Sequence, residues 1–370
     1  MLTKRASRFT FTTTLACIFC MSALSHANAQ LAEQSNEKLN TVTLAAAPFE
    51  TYVNDDGEPA RVNELVSTAL AQSGTDANLK VMRQAFLGSA VRAGRVDGEY
   101  ALLDMGQQTE GVITSNVFLP LYLYAASKDA DVEQIKIFQH LKRNRVAIEN
   151  RFANTPNFRL IKDIKWSRNP STFDAFRQLA DDRAPYLITS ELLIREFNTL
   201  LANDREETLH YSAKPLMKSG FQLAIRDDVP NAQKIINNFN NAVSVMQQNG
   251  QYNKLLQIDW LRKDINQDGI ADYIGHSDIT RTSSLLKTAY NLDSTPTSDD
   301  SVFVLDGTVF TSKAEAFNAL PNSEENGSEE NAIEENGIEE NGTEAEKRDV
   351  MNKSISLLDA TTYETLLRRW

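Results

Sequence analysis

Short apolar runs of strand period alternate with amphipathic stretches of helical spacing from Thr41 to Trp260. Thr41-Val42-Thr43-Leu44-Ala45-Ala46 alternates every second residue and predicts a strand. Val62, Leu65, Val66, Ala69 and Leu70 recur at helical spacing and stop near Gly74. Met82, Ala85, Phe86, Ser89, Ala90 and Ala93 do the same and end at Gly94, a C-terminal cap. Leu119 to Ala126, Arg145 to Ile148 and Pro185 to Ile188 read as buried strands. The clearest helix starts at Pro230, lines Ile235, Ile236, Phe239, Ala242, Val243 and Met246 along one face, and ends at Gly250. Strands alternating with helices predict an α/β protein with mainly parallel sheets.

Beyond Trp260 the pattern changes. Residues 264–272 form an acidic, turn-rich loop, and Val302 to Thr311 predicts a hairpin around Asp306-Gly307. Ser312 and Glu315 make a capping box for a short helix that stops at Pro321. Residues 323–347 repeat a Glu-Glu-Asn pentapeptide, with ten glutamates from Glu324 to Glu346. Such a segment has no apolar face to bury, which predicts a solvated linker over 322–349. Tyr363, Leu366, Leu367 and Trp370 then mark an amphipathic helix in 350–370.

Charge and cysteine usage sharpen this picture. Lys4, Arg5 and Arg8 precede the apolar run Leu15 to Met21, and Ala27-Asn28-Ala29 follows, which predicts a signal peptide over 1–29. The expected location is periplasmic, with no membrane span after cleavage. Cys17 and Cys20, the two cysteines, lie inside this segment, so a mature disulfide is excluded. The formal net charge of −12 becomes −15 once the three bases of residues 1–29 are removed, and the ten repeat glutamates supply two-thirds of it. An acidic balance without a basic face excludes nucleic acid as the expected partner.

Residues 41–260 carry ordered landmarks. Ala47-Pro48-Phe49-Glu50 and Asp55-Asp56-Gly57-Glu58 follow the first strand, and Ala93-Gly94-Arg95-Val96-Asp97-Gly98 follows the second helix. Asn116 to Tyr124, then Asn150-Arg151-Phe152-Ala153-Asn154-Thr155, then Pro215 to Pro230, and finally Asn249-Gly250-Gln251-Tyr252 to Trp260 complete the order. Together they resemble the extracellular solute-binding proteins of ABC transporters, the polar amino-acid-binding family in particular. The resemblance implies a two-lobe periplasmic-binding-protein type II fold with hinge crossover strands, followed by a small C-terminal appendage. It places a solute-binding domain at 36–262, with lobe 1 over about 36–121 and 213–260 and lobe 2 over about 122–212. An appendage follows at 263–321.

The same resemblance implies a small polar or charged ligand held between the lobes. Its partner would be an ABC permease or, if the appendage tethers the module, a sensor. Phe49 and Tyr52 would sandwich the ligand or anchor their loop on the core. Asp104, Gln107 and Thr109 occupy the stretch where family members carry polar contacts and a carboxylate-gripping arginine. Thr109 stands at the arginine's place, which leaves amino-acid specificity open. Arg151, Asn154 and Thr155 supply anion contacts or face solvent, and Glu191 binds an ammonium unless Ser190 simply caps the helix. No nucleophile–base pair is visible, so no enzymatic activity is expected. The rival reading, a dehydratase-type enzyme on this fold, would draw on Glu50, Glu99 or Glu149.

Asp264, Asn266, Asp268, Ile270 and Asp272 occupy positions 1, 3, 5, 7 and 9 of a calcium-loop pattern, with Gly269 at position 6. Alternate side chains of this spacing converge on one hard cation, and Ile270 offers its carbonyl. The loop resembles those of thrombospondin type 3 repeats and dockerins, so Ca²⁺ is the expected cofactor, with a metal-free acidic turn as the alternative.

Overall fold

The predicted strands between Thr41 and Trp260 are present, and they join one sheet. The computed structural model describes residues 41–55, 60–106, 110–203, 205–279, 281 and 283–321, all within one unit that begins at Thr41. The expected signal peptide, glutamate-rich linker and final helix lie outside the described residues, as do Gln107 and Thr109.

The first lobe opens with β1 (Val42–Ala46), α1 (Arg61–Gln72), β2 (Ala77–Val81), α2 (Gln84–Arg92), β3 (Gly98–Leu103) and β4 (Val112–Thr114). The chain crosses over on β5 (Leu119–Ser127). The second lobe contains β6 (Arg145–Glu149), α3 (Asn150–Ala153), α4 (Pro156–Leu160), β7 (Lys165–Asn169), α5 (Thr172–Ala180), β8 (Tyr186–Ser190), α6 (Glu191–Asn203) and β9 (His210–Tyr211). It returns on β10 (Met217–Arg226), followed by α7 (Ala232–Gln248) and α8 (Gln251–Leu256).

The sheet order is β2-β1-β3-β10-β5-β8-β6-β7, with β4 added to β10 and β9 to β5. The expectation of mainly parallel pairing needs correction. β1 pairs in parallel with β2 and β3, and β6 with β7 and β8, but every pair made by β5 or β10 is antiparallel. The reason is topological: helical crossovers generate parallel neighbours inside a lobe, whereas the two strands linking the lobes run in opposite senses. Leu119 to Leu123 pairs with Met217 to Phe221, and this ladder is the hinge.

Local sequence explains the framework. The α1 stripe Val62, Leu65, Val66, Ala69 and Leu70 is fully buried, as its periodicity predicts. In α2 the buried positions are Leu87 and Ala90, while Phe86, assigned inward from the sequence, is 58% exposed. With three apolar positions adjacent, periodicity alone misplaced the face by one residue. Helix α7 begins at Ala232, two residues after Pro230, because Asn231 takes a left-handed φ of 62° before it. The Asp97-Gly98 pair pins β3. The Asp97 carboxylate accepts the Thr43 N–H at 2.7 Å, and a Cβ on Gly98 would lie 2.0 Å from the Ala224 carbonyl oxygen. Only glycine permits that approach of β10.

The C-terminal segment builds a second sheet from β11 (Leu261–Lys263), β12 (Asp272–Gly275), β13 (Tyr290–Asn291), β14 (Phe303–Leu305) and β15 (Thr308–Phe310), with α9 (Lys313–Asn318) beside it. The hairpin and capped helix predicted there are present; the Ser312 hydroxyl accepts the Glu315 N–H. Leu261, Ile274, Tyr290 and Val304 belong to the same apolar core as the two lobes. The boundary drawn near residue 262 from the sequence therefore runs through shared packing. Trp260 anchors a smaller cluster, stacked on Phe317 with centroids 5.8 Å apart and edge-on to Phe303.

Candidate functional site

The lobes meet where the C-terminal ends of β1 and β6 face each other, the usual ligand position in open α/β sheets. Glu149 closes β6 and is 5% exposed; Arg151 follows in α3 and is 8% exposed. One Glu149 oxygen accepts the Arg151 Nε–H at 2.8 Å, and the other accepts the Thr172 hydroxyl at 2.8 Å. The Arg151 Nη2 donates across the cleft to the Pro48 carbonyl, and its guanidinium lies 4.4 Å from the centre of the Phe49 ring. Burying this charge is tolerable because its Nε and Nη2 donate to protein oxygens and it covers an aromatic face.

Glu50 reaches the opposite way. Its carboxylate accepts the Phe173 N–H at 3.4 Å in the first turn of α5, a nine-residue helix capped by Ser171. A helix start favours negative charge. Glu50 holds a left-handed φ of 28°, a conformation that costs about 1–3 kcal/mol for a side-chain-bearing residue. Burial pushes its carboxyl up and the Glu149 charge adds to this, against the Phe173 N–H and Arg151. A cross-lobe ion pair joins Arg61 of α1 to Glu196 of α6. Burial still raises the Glu196 carboxyl despite that partner. Beside it lies a cavity of about 20 Å³, room for about one water, walled by Thr51, Phe173, Phe176, Leu193 and Phe197. The Thr51 hydroxyl is buried there and has no hydrogen-bond partner among the described residues.

The Glu99 carboxyl, on β3, makes no hydrogen bond among the described residues. Burial lifts its carboxyl from the usual 4.5 to about 7, with Arg151 pulling the other way. The folded state therefore holds this proton more tightly than the unfolded chain. That contribution is present below the unfolded value and is lost as pH rises from 4.5 to about 7. Stability is expected to fall across this window by up to about 3 kcal/mol on account of Glu99, and Glu99→Gln to flatten the slope. Urea unfolding of both proteins through the window checks this; equal slopes would count against it.

The residues proposed from the sequence are distributed as follows. Phe49 is buried under Arg151, edge-on to Phe221. Tyr52 is buried beside Arg61, its ring 5.8 Å from that of Phe49. Asp104 turns its carboxylate onto the Gly106 N–H at 2.9 Å. Asn154 is exposed, and the Thr155 hydroxyl donates to the Phe152 carbonyl at 2.7 Å. Glu191 pairs with Arg195 on the hinge side, while the Ser190 hydroxyl accepts the Leu193 N–H at 3.4 Å. The structure thus brings Phe49 and Arg151 together with Glu50, Glu99 and Glu149, which the sequence had offered only to the enzyme reading. Thr172 and Phe173 were missed. Their signal was Ser171, a helix cap directly after a strand.

In the acidic loop, Asp264 accepts the Asp268 and Gly269 N–H groups, and Asp268 accepts that of Ile270 at 2.8 Å. Asn266 bridges to Asp268, and the buried Asp272 accepts the Ile265 and Val302 N–H groups. Burial raises the Asp272 carboxyl, and the charges of Asp268 and Asp264 add to this. Among the described residues, no group of three or more His, Cys, Asp or Glu side chains is placed to hold a metal ion.

No family model matches the chain, and no curated protein matches it. Solved structures do. The GluR0 ligand-binding core in complex with L-glutamate aligns with a TM-score of 0.50 at 8% identity, over 60% of this chain and 98% of that one. An amino-acid ABC transporter substrate-binding protein, AbpA from Streptococcus pneumoniae, bound to L-arginine, gives 0.49 at 14% identity, over 60% and 96%. The Nostoc punctiforme GluR0 core with L-glutamate gives 0.48 at 15%, over 58% and 96%. At such identities the likeness is one of fold. The chain has the type II periplasmic-binding fold, two lobes joined by crossover strands, with a C-terminal appendage. No helix among the described residues is long and apolar enough to cross a membrane.

Proposed function

We propose that this protein is a periplasmic solute-binding protein that captures a small, polar, amino-acid-like metabolite bearing positive charge and delivers it to an ABC permease. The observation that carries this reading is the charge balance between the lobes: Glu50, Glu99 and Glu149 all feel or engage the guanidinium of Arg151, and only Glu149 is bonded to it. Arg151 is already engaged by Glu149 and Pro48, so Glu99 is left to receive a ligand ammonium. Closure of the lobes removes water from that pair and strengthens it. The binding chemistry lies in the cleft, with no role for covalent catalysis.

Thermal unfolding and calorimetry with arginine, ornithine, putrescine, glutamate and succinate test this. A cationic ligand at a hundred times its Kd is expected to add about 2.7 kcal/mol, a rise of several degrees in Tm. No shift with any of the five, together with turnover of a prephenate-like substrate, would favour the enzyme instead. In the same calorimeter, Ca²⁺ is expected to bind the loop of Asp264, Asn266, Asp268, Ile270 and Asp272, whose spacing is that of a calcium loop. Absence of heat at millimolar Ca²⁺ would remove that site.

A second reading, a ligand-sensing module, draws on one observation. Residues 288–294 of the appendage touch both crossover strands and α6. Deletion of the gene separates the two: lost uptake of the ligand supports transport, and intact uptake with a lost response supports sensing.

A further inference from the structure

The C-terminal sheet carries a cavity of about 550 Å³ that shares no lining residue with the interlobe site. That volume falls within the range of small-molecule pockets. The strand register sets Arg262, Tyr273 and Phe303 side by side on β11, β12 and β14. Tyr273 and Phe303 stack with centroids 5.1 Å apart and planes 10° from parallel, which gives the cavity a flat apolar wall. Lys287 and Lys313 stand on its rim, both exposed, and the only lining acid is Asp299. In a chain of net charge −12 this is a local excess of base.

Arg262 is the informative residue. Its guanidinium makes no hydrogen bond and no ion pair among the described residues, and its Nε is buried without a partner. An unpaired buried donor is costly unless something accepts from it. Three hydroxyls of the wall are already engaged. The Ser301 hydroxyl donates to the Ala271 carbonyl, Ser312 caps α9, and Thr311 donates to Glu315. The unmet donors are those of Arg262, and their natural complement is an oxyanion read by the guanidinium fork.

We propose that this cavity is a second ligand site, taking a small anion with a flat apolar body, an aryl carboxylate or aryl phosphate. The oxyanion pairs with Arg262 under the field of Lys287 and Lys313, and the ring lies against Tyr273 and Phe303. The proposal is independent of what the interlobe cleft binds.

Calorimetry on the intact chain with benzoate, phenyl phosphate, inorganic phosphate and benzylamine tests it. At least one aryl anion is expected to bind saturably and more tightly than inorganic phosphate, with benzylamine silent. Arg262→Gln is expected to weaken that binding at least about tenfold. Lys287→Glu, an exposed change that leaves the core alone, is expected to weaken it as well, so a folding defect in the first variant does not decide the outcome. Silence of both aryl anions, equal binding of benzylamine, or affinity unchanged in both variants would overturn the site. Inorganic phosphate binding as tightly as phenyl phosphate would overturn the role of the aromatic wall.

Discussion

Tyr290→Ala is expected to cost about 3–5 kcal/mol of stability and to loosen the hinge in the same step. Tyr290 is fully buried. Its hydroxyl donates to the Pro120 carbonyl on β5 at 2.5 Å, and its ring meets that of Tyr122 edge-on at 5.7 Å. Around it, the Tyr122 hydroxyl donates to the Asp293 carbonyl, Lys218 of β10 reaches Ser294, and Arg195 of α6 reaches the Thr288 carbonyl. Removing the ring empties a core position that holds the appendage against both crossover strands. Tyr290→Phe keeps the ring and removes only the hydroxyl, an expected loss of about 1 kcal/mol. Urea unfolding gives the energies, and amide exchange of residues 119–123 and 217–221 reports the hinge. A loss below about 1 kcal/mol for the alanine variant, with unchanged exchange, would show that the appendage does not brace the crossover.

Glu149→Ala is expected to be comparably severe, about 3–5 kcal/mol, and to abolish ligand binding. Both carboxylate oxygens are engaged, and their loss leaves the Arg151 guanidinium buried against Phe49 with only the Pro48 carbonyl to receive it. Breaking one side of a buried pair costs more than removing both. Glu149→Ala combined with Arg151→Met is therefore expected to recover part of the stability while binding stays lost. The double-mutant cycle in urea measures this coupling. Additive losses would mean that the pair does not act as a unit.

The hinge brace and the charged cleft differ in how far they were legible beforehand. Arg151 and Phe49 stood out because each follows a strand at a landmark of the resembling family. Glu50, Glu99 and Glu149 were visible as acids, but nothing in their spacing tied them to one another. Glu191 looked equally apt from its place after a strand, yet it pairs with Arg195 beside the hinge. A helix period also misassigned Phe86, because adjacent apolar residues leave the face undetermined until a neighbour packs on it. The appendage read as separate for a similar reason. Its acidic loop and short hairpin differ in texture from the lobes, while the residue that joins them, Tyr290, is a lone aromatic without periodicity.

By itself the sequence determined the alternation of strands and helices and the ends of the long helices. These follow from periodicity and from the conformational limits of single residues, both encoded within a few positions. Only the tertiary structure decided that Arg151 reaches across to the Pro48 carbonyl, that Glu50 sits on the start of α5, and that residues 288–294 clasp both crossover strands. Those contacts join residues up to about 170 positions apart, and their partners are selected when the lobes fold and dock, by burial and charge pairing rather than by local pattern.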